Sequence, residues 1–189
     1  MLSPIRGFAV VAAACGAVLA PALTLACSTS APPAPRVAQA DPVQQGIALY
    51  QQGRYQEAAN VLHSASGPEA DAYRGASLAK LKRYAEAEAP SAAALVENGI
   101  HPVAAAGLGE ALVGQKKYDD AVARMSSVID GYAEREDKAN AAYAFYWRGQ
   151  AHYAKRETAR AIEDFQVFVQ LAPNAPETQT IRQLLASLR

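Results

Sequence analysis

One short phrase recurs four times along the chain: a glycine, a tyrosine nine residues later, and an alanine three residues after that. Three copies are complete, and the fourth has Thr158 in place of the tyrosine. The members are Gly46, Tyr55 and Ala58; Gly75, Tyr84 and Ala87; Gly109, Tyr118 and Ala121; and Gly149 with Ala161. Recurrence at such a period predicts an array of stacked units, each of which buries its apolar face only against its neighbours.

The steps between successive glycines are 29, 34 and 40 residues, so the predicted units are unequal. The short first step predicts a clipped second helix in unit one. The long last step predicts longer helices between units three and four. We assign the units to residues 43–67, 68–100, 101–135 and 137–173.

Each unit is predicted to be a pair of antiparallel helices. In unit one, Ala58 and Leu62 are four residues apart, as are Tyr55 and Ala59, so they form neighbouring stripes on one side of the second helix. A glycine inside a helix costs about 0.5–1 kcal/mol relative to alanine. Because that cost is met four times at matching places, we expect the facing helix to come too close for a side chain, with the alanine playing the same role on the second helix.

The last unit adds Phe165, a large residue late in its second helix, and Pro173, which closes the unit. Together with the repeated glycines, tyrosines and alanines, these residues resemble the tetratricopeptide repeat family over residues 43–173. The resemblance implies an all-α fold: a right-handed α-solenoid of about four antiparallel helix pairs. It also implies a concave groove, lined by the first helix of each pair, that binds proteins or peptides.

Residues 174–189 follow the repeats as a predicted capping helix. Ile181, Leu184, Leu185 and Leu188 have the spacing of one apolar helix face. A solenoid needs a terminal cap with a polar outside, which favours this role, and a partner-binding helix is the alternative.

Two residues depart from the pattern. Pro90 falls inside the predicted second helix of unit two, where it removes a backbone hydrogen bond and clashes with the carbonyl of Glu86. The helix is therefore expected either to kink or to restart at Ser91, a position where a large apolar residue belongs. We expect unit two to be the loosest joint. Thr158 removes one interlocking tyrosine from unit four.

The candidate groove is marked by a stripe of tyrosines in unit four. The stripe consists of Tyr143, Tyr146, Gln150 and Tyr153, and the repeat register extends it back to Tyr50, Lys80 and Glu110. Tyrosine combines apolar area with a hydroxyl group, so it is a good anchor for a partner. Alternatively, these tyrosines cover the long junction before unit four or contact the cap. Because no pattern of basic and amide residues repeats through the units, a clamp for a C-terminal carboxylate is not expected.

Residues 1–26 have the features of a secretory signal: a positive start at Arg6, an uncharged apolar stretch and small residues at its end. The alternative is a retained membrane helix. Residues 27–42 are rich in Pro, Ala and Ser and predict an extended tether.

Cys27 directly follows the apolar stretch, with Thr24 at the place where leucine is usual three residues earlier. This arrangement resembles the lipobox of bacterial lipoproteins, which implies that Cys27 receives lipid and becomes the mature N-terminus. Ser28 at the next position implies an outer-membrane, periplasm-facing address. Cleavage after Ala40, which would release a soluble periplasmic protein, is the alternative.

Neither the composition nor the motifs of the sequence indicate a catalytic, metal-binding or nucleic-acid-binding site. Acidic and basic residues balance at 18 each, so a nucleic-acid footprint is not expected. The three histidines are dispersed, and we predict no metal site, no cofactor and no enzyme activity. The acidic pairs, including Glu163 and Asp164, are expected on solvated helix surfaces. The sequence therefore predicts a non-catalytic adaptor or scaffold of the cell envelope, or alternatively a structural, self-associating component of an envelope complex.

Overall fold

The computed structural model describes residues 41–98 and 100–188. Within these residues the chain forms nine α-helices and one short 3-10 turn, Ala139–Ala141. The helices are α1 (Pro42–Gln51), α2 (Tyr55–Leu62), α3 (Pro68–Lys80), α4 (Tyr84–Asn98), α5 (Pro102–Gly114), α6 (Tyr118–Glu134), α7 (Ala142–Ala154), α8 (Thr158–Leu171) and α9 (Thr178–Ser187). Helices α1 to α8 form four pairs, which confirms the predicted all-α solenoid.

The predicted signal, Cys27 and the cleavage site after Ala40 lie outside the described residues, as does nearly all of the tether. Among the helices within the described residues, none is both long and apolar enough to cross a membrane. Pro42 belongs to α1 rather than to the tether, because the carboxylate of Asp41 caps this helix by accepting a hydrogen bond from the Val43 N–H at 3.0 Å. Proline is favoured at the first position of a helix, where its missing N–H is not needed.

The repeated tyrosines, and Thr158 in unit four, are the first residues of the second helices. Two residues before each of them the backbone is left-handed, at Gly53, Lys82, Lys116 and Arg156. The next N–H group then bonds back to the carbonyl five residues earlier, as Arg83 does to Leu78 at 2.9 Å. This is the Schellman geometry, which satisfies carbonyl groups at the end of a helix. The turn within each pair is therefore built in the same way four times.

Each repeated glycine has a packing reason, as predicted, because a Cβ there would clash with a neighbouring helix, but the predicted close approach of the helix backbone is found only at Gly75. A Cβ on Gly149 would lie 2.8 Å from the ring of Phe165 in the same unit. Gly46 likewise faces Leu62, and Gly75 faces Ser91. The four repeated alanines of the second helices are fully buried: Ala58, Ala87, Ala121 and Ala161.

Gly109 differs from the other three in which helix it faces. A Cβ there would lie 2.5 Å from Trp147, which belongs to α7 of the next unit. In unit three the glycine therefore makes room for an aromatic ring from the neighbouring unit.

Helix α4 continues through Pro90 without a break, so the predicted restart at Ser91 is wrong. The packing also contradicts a loose unit two, because Ser91 is fully buried between Gly75 of α3 and Gly107 of α5. A Cβ on Gly107 would lie 2.9 Å from the backbone of Ala76. The small residues do not leave a cavity, because the backbones of α3, α4 and α5 pack close to one another at this point.

The unequal steps have the predicted causes in part. Helix α2 has 8 residues, whereas α4, α6 and α8 have 15, 17 and 14. The extra residues of the 40-residue step lie partly in the long helix α6 and partly in the connection that contains the 3-10 turn. Tyr132 of α6 and Ala141 of the turn are buried in the same core cluster.

Helix α9 caps the array as predicted. It buries Ile181 and Leu185 in one cluster with Phe165 and Phe168 of α8. The hydroxyl of Thr178 donates a hydrogen bond to the carbonyl of Ala172 at 2.6 Å, which fixes the turn between the two helices.

Candidate partner-binding groove

The first helices of units one to four meet at a cleft of about 500 Å³. The segment between α8 and α9 contributes to the same cleft. The lining residues are Tyr50, Tyr55, Lys80, Pro102, Val103, Ala106, Tyr143, Trp147, Pro176 and Glu177. A cleft of this size lies in the range of small-ligand and peptide pockets.

Aromatic rings form one wall. The ring centroid of Tyr50 lies 5.4 Å from that of Tyr55 and 5.3 Å from that of Tyr73, the latter pair edge to face. Such tilted pairs hold the rings in place. Burial raises the pKa of the Tyr50 phenol above its ordinary value, and Glu110 adds to the rise. Tyr50 is therefore a neutral, fixed surface with a hydroxyl group.

An ion pair joins units two and three beside this wall. The Lys80 ammonium donates to Glu110 Oε2 at 2.7 Å. Burial lowers the pKa of Lys80, but the hydrogen bond to Glu110 and the negative charges of Glu110 and Glu177 outweigh burial and raise the pKa overall. Lys80 is therefore a cation whose charge is already matched.

A second part of the lining joins α7 to the segment before the cap. The Tyr143 hydroxyl donates to Glu177 Oε2 at 3.0 Å. Burial first, and then the charge of Glu177, raise the pKa of Tyr143 well above its usual range. Glu177 is the residue just before α9, and its side chain makes no capping bond to that helix. Its carboxylate is thus directed to the cleft rather than used in the cap.

The predicted stripe is only partly brought together. Tyr50, Lys80 and Tyr143 line the cleft, and Glu110 pairs with Lys80. Tyr146 packs inward instead, with its ring centroid 5.0 Å from that of Phe168.

Gln150 and Tyr153 lie further along α7. Burial raises the pKa of the Tyr146 phenol, and Gln150 partly offsets that rise. Tyr153 is 42% exposed and is not among the lining residues. It lies ten residues after Tyr143, about 15 Å along the helix axis, and the cleft is at the other end of α7. The residues of the stripe therefore have three different surroundings: the cleft wall, the half-buried edge of a core cluster, and the open surface.

Sequence reasoning missed several lining residues. Val103 and Ala106 precede Gly109 by the same intervals at which Tyr143 and Tyr146 precede Gly149. Extending the register to unit three at those intervals would have found both. Trp147 was not predicted because it directly follows Tyr146 and so falls outside the spacing of the stripe. No repeat register covers Glu177, since it lies after the last unit.

A second polar cluster lies within units three and four. Asp164 is 4% exposed and accepts two hydrogen bonds from Arg148, at 2.9 and 2.7 Å. Arg148 also donates to the hydroxyl of Ser126 at 3.0 Å. The expectation that Asp164 lies on a solvated face is therefore wrong, because a cation on the facing helix of its own pair neutralises it.

His152 belongs to the same polar cluster. Its Nδ1 lies 2.6 Å from Glu157 Oε2 in the turn that follows α7. Hydrogen bonds from Lys155 and His152 lower the pKa of Glu157 to about 2. Lys155 also pairs with Asp119 of unit three at 2.7 Å. The cluster connects the units and has a structural role.

Comparison with known families identifies the architecture. The tetratricopeptide repeat profile matches residues 43–105 and 106–176. The chain belongs to the tetratricopeptide repeat family. No curated protein matches the chain.

Solved structures with the same fold include MamA proteins. MamA of Desulfovibrio magneticus RS-1 is 25% identical, over 80% of this chain and 85% of that structure, with a TM-score of 0.57. A double mutant of MamA from strain RS-1 is 24% identical with the same coverage and TM-score. MamA from strain MSR-1 is 21% identical over 78% and 82%, also with a TM-score of 0.57. These likenesses support the tetratricopeptide solenoid fold.

Proposed function

We propose that this tetratricopeptide repeat protein is a non-catalytic adaptor or scaffold that binds a protein or peptide partner in the cleft. The observation that carries the proposal is the convergence of Tyr50, Lys80, Tyr143 and Trp147, from three first helices, on one cleft of about 500 Å³. Tetratricopeptide repeat proteins bind protein partners. Fixed aromatic rings supply large contact area at little cost in side-chain entropy, which suits them as anchors.

The proposed location is the bacterial cell envelope. Support comes from the sequence of residues 1–42, with its signal-like start, Cys27 and tether. In this proposal Cys27 is lipidated and holds the repeats at the outer membrane, facing the periplasm. Mass spectrometry of the mature N-terminus tests it. A lipidated Cys27 is expected, whereas an unlipidated chain that starts at Asp41 would identify a soluble periplasmic protein.

Photo-crosslinking in the native cell tests partner binding. A benzophenone amino acid replaces Val103, which lines the cleft, and in a matched strain it replaces the exposed Glu134 of α6. We expect a defined crosslinked protein from position 103 and not from position 134. Crosslinks from position 134 alone would contradict the cleft as the binding site.

A further inference from the structure

The charges at the cleft do not balance. Among the described residues, the cleft is lined by one ammonium, on Lys80, and one carboxylate, on Glu177, and a second carboxylate, on Glu110, lies beside it. Lys80 lies 2.7 Å from Glu110, so that pair is complete. One negative charge, on Glu177, is left over.

The carboxylate of Glu177 has few hydrogen-bond partners among the described residues. Within the described residues its carboxylate accepts one hydrogen bond, from the Tyr143 hydroxyl, and forms no ion pair. Its side chain is half-buried at the cleft wall, beside Pro176. A carboxylate that is partly removed from water has spare capacity for a charged donor.

The surroundings of Glu177 favour a cation. Tyr143 and Trp147 line the same cleft, and the faces of such rings attract ammonium and guanidinium groups. An acidic segment would find no unpaired cation among the described residues that line the cleft, because Lys80 is already paired with Glu110. Pro102, Val103 and Ala106 make the floor apolar, which suits uncharged residues on either side of a cationic one.

We propose that the occupant of the cleft is a peptide segment with a lysine or arginine side chain, which pairs with Glu177 beside Tyr143, and with apolar residues on both sides. This inference rests on the proposed function and adds the chemistry of the partner. Glu177 is the residue that sets the preference, and the aromatic rings supply the contact area.

The test uses Trp147, the one tryptophan of the sequence, as a fluorescent reporter in the cleft wall. Three pools of nine-residue peptides, acetylated and amidated, carry uncharged residues around a central arginine, norleucine or glutamate. The full-length chain is titrated with each pool. We expect the arginine pool to bind about fivefold more tightly than the norleucine pool, the gain of one half-exposed ion pair. The glutamate pool should bind most weakly.

Glu177→Gln keeps the shape and the acceptor for Tyr143 but removes the charge. It should abolish the difference between the arginine and norleucine pools, and Glu177→Lys should favour the glutamate pool. Glu134→Gln, the same charge change at an exposed site of α6, should leave the difference intact. Thermal melting checks that each variant is folded.

The outcomes separate the two proposals. Equal binding of the arginine and norleucine pools, or a preference for glutamate, would overturn the cationic partner while leaving a peptide-binding cleft. A fluorescence response to none of the pools would overturn both.

Discussion

Sixteen residues after its glycine, unit two has Ser91 and unit four has Phe165, and both side chains are fully buried. In unit two the backbones come together until a Cβ on Gly75 would lie 2.9 Å from the amide nitrogen of Ser91. In unit four the ring of Phe165 fills the space over Gly149. The same contact is thus closed by backbone approach in one unit and by side-chain volume in the other.

This difference makes opposite demands on the two units. A contact between small residues buries little apolar area and depends on close approach, so it should not tolerate enlargement. A contact filled by an aromatic ring depends on buried area, so it should not tolerate truncation. Units two and four also differ in charge: the Arg83–Glu86 pair of unit two is exposed, whereas Arg148 and Asp164 of unit four are largely buried.

The largest effect is expected from Phe165→Ala, which empties the centre of unit four. Loss of a buried phenylalanine should lower the free energy of unfolding by about 3–5 kcal/mol. Urea denaturation measures the loss, and hydrogen exchange should place it in α7 and α8. Tyr153→Ala, at the exposed end of α7, is the control and should change little. A loss from Phe165→Ala below about 1 kcal/mol would show that unit four does not depend on ring volume.

Asp164→Asn tests the buried charge of unit four. Removing one partner of a buried pair leaves Arg148 uncompensated, so we expect a loss of about 3 kcal/mol in the free energy of unfolding. Glu86→Gln removes one partner of the exposed pair in unit two and should leave the melting temperature unchanged. Equal shifts in the two variants would contradict the difference in burial.

Ser91→Leu tests whether any space remains around Ser91, between α3, α4 and α5. If the backbones have closed the space, the larger side chain should destabilise the protein by about 1–3 kcal/mol, measured by urea denaturation. Ser91→Ala is the matched control. It removes a buried hydroxyl with no hydrogen-bond partner among the described residues, so it should stabilise by about 1 kcal/mol. A stabilising Ser91→Leu would indicate instead that unit two has a gap.

The smallest effect is expected at the turns, where the two units should respond alike. Lys82 and Arg156 have φ angles of 60° and 64°, which favour glycine. Lys82→Gly and Arg156→Gly should each stabilise by about 0.5–1 kcal/mol, because relief of the left-handed strain exceeds the added freedom of the unfolded chain. Gly53→Ala, the reverse change at φ 76°, should destabilise to a similar extent. Thermal melting measures all three.

Much of the fold could be predicted because each repeat is defined by residues at short, fixed intervals along the sequence. The glycine, the turn and the first residue of the second helix fall at constant intervals, and the shortened α2 follows from the first step. Ser91 was interpreted wrongly because residue size alone does not reveal how far two backbones approach. The groove was found in part, since the register reached Tyr50, Lys80 and Tyr143.

The helical pairs, their turns and the positions where they pack follow from local sequence patterns, because these features depend on intervals of a few residues. Three features depend instead on the packing of the helices: Trp147 fills the space over Gly109, Asp164 is buried against Arg148, and Glu177 reaches the cleft. Each of these contacts joins residues from different helices. Their geometry depends on how the helices are set against one another, which no local interval specifies.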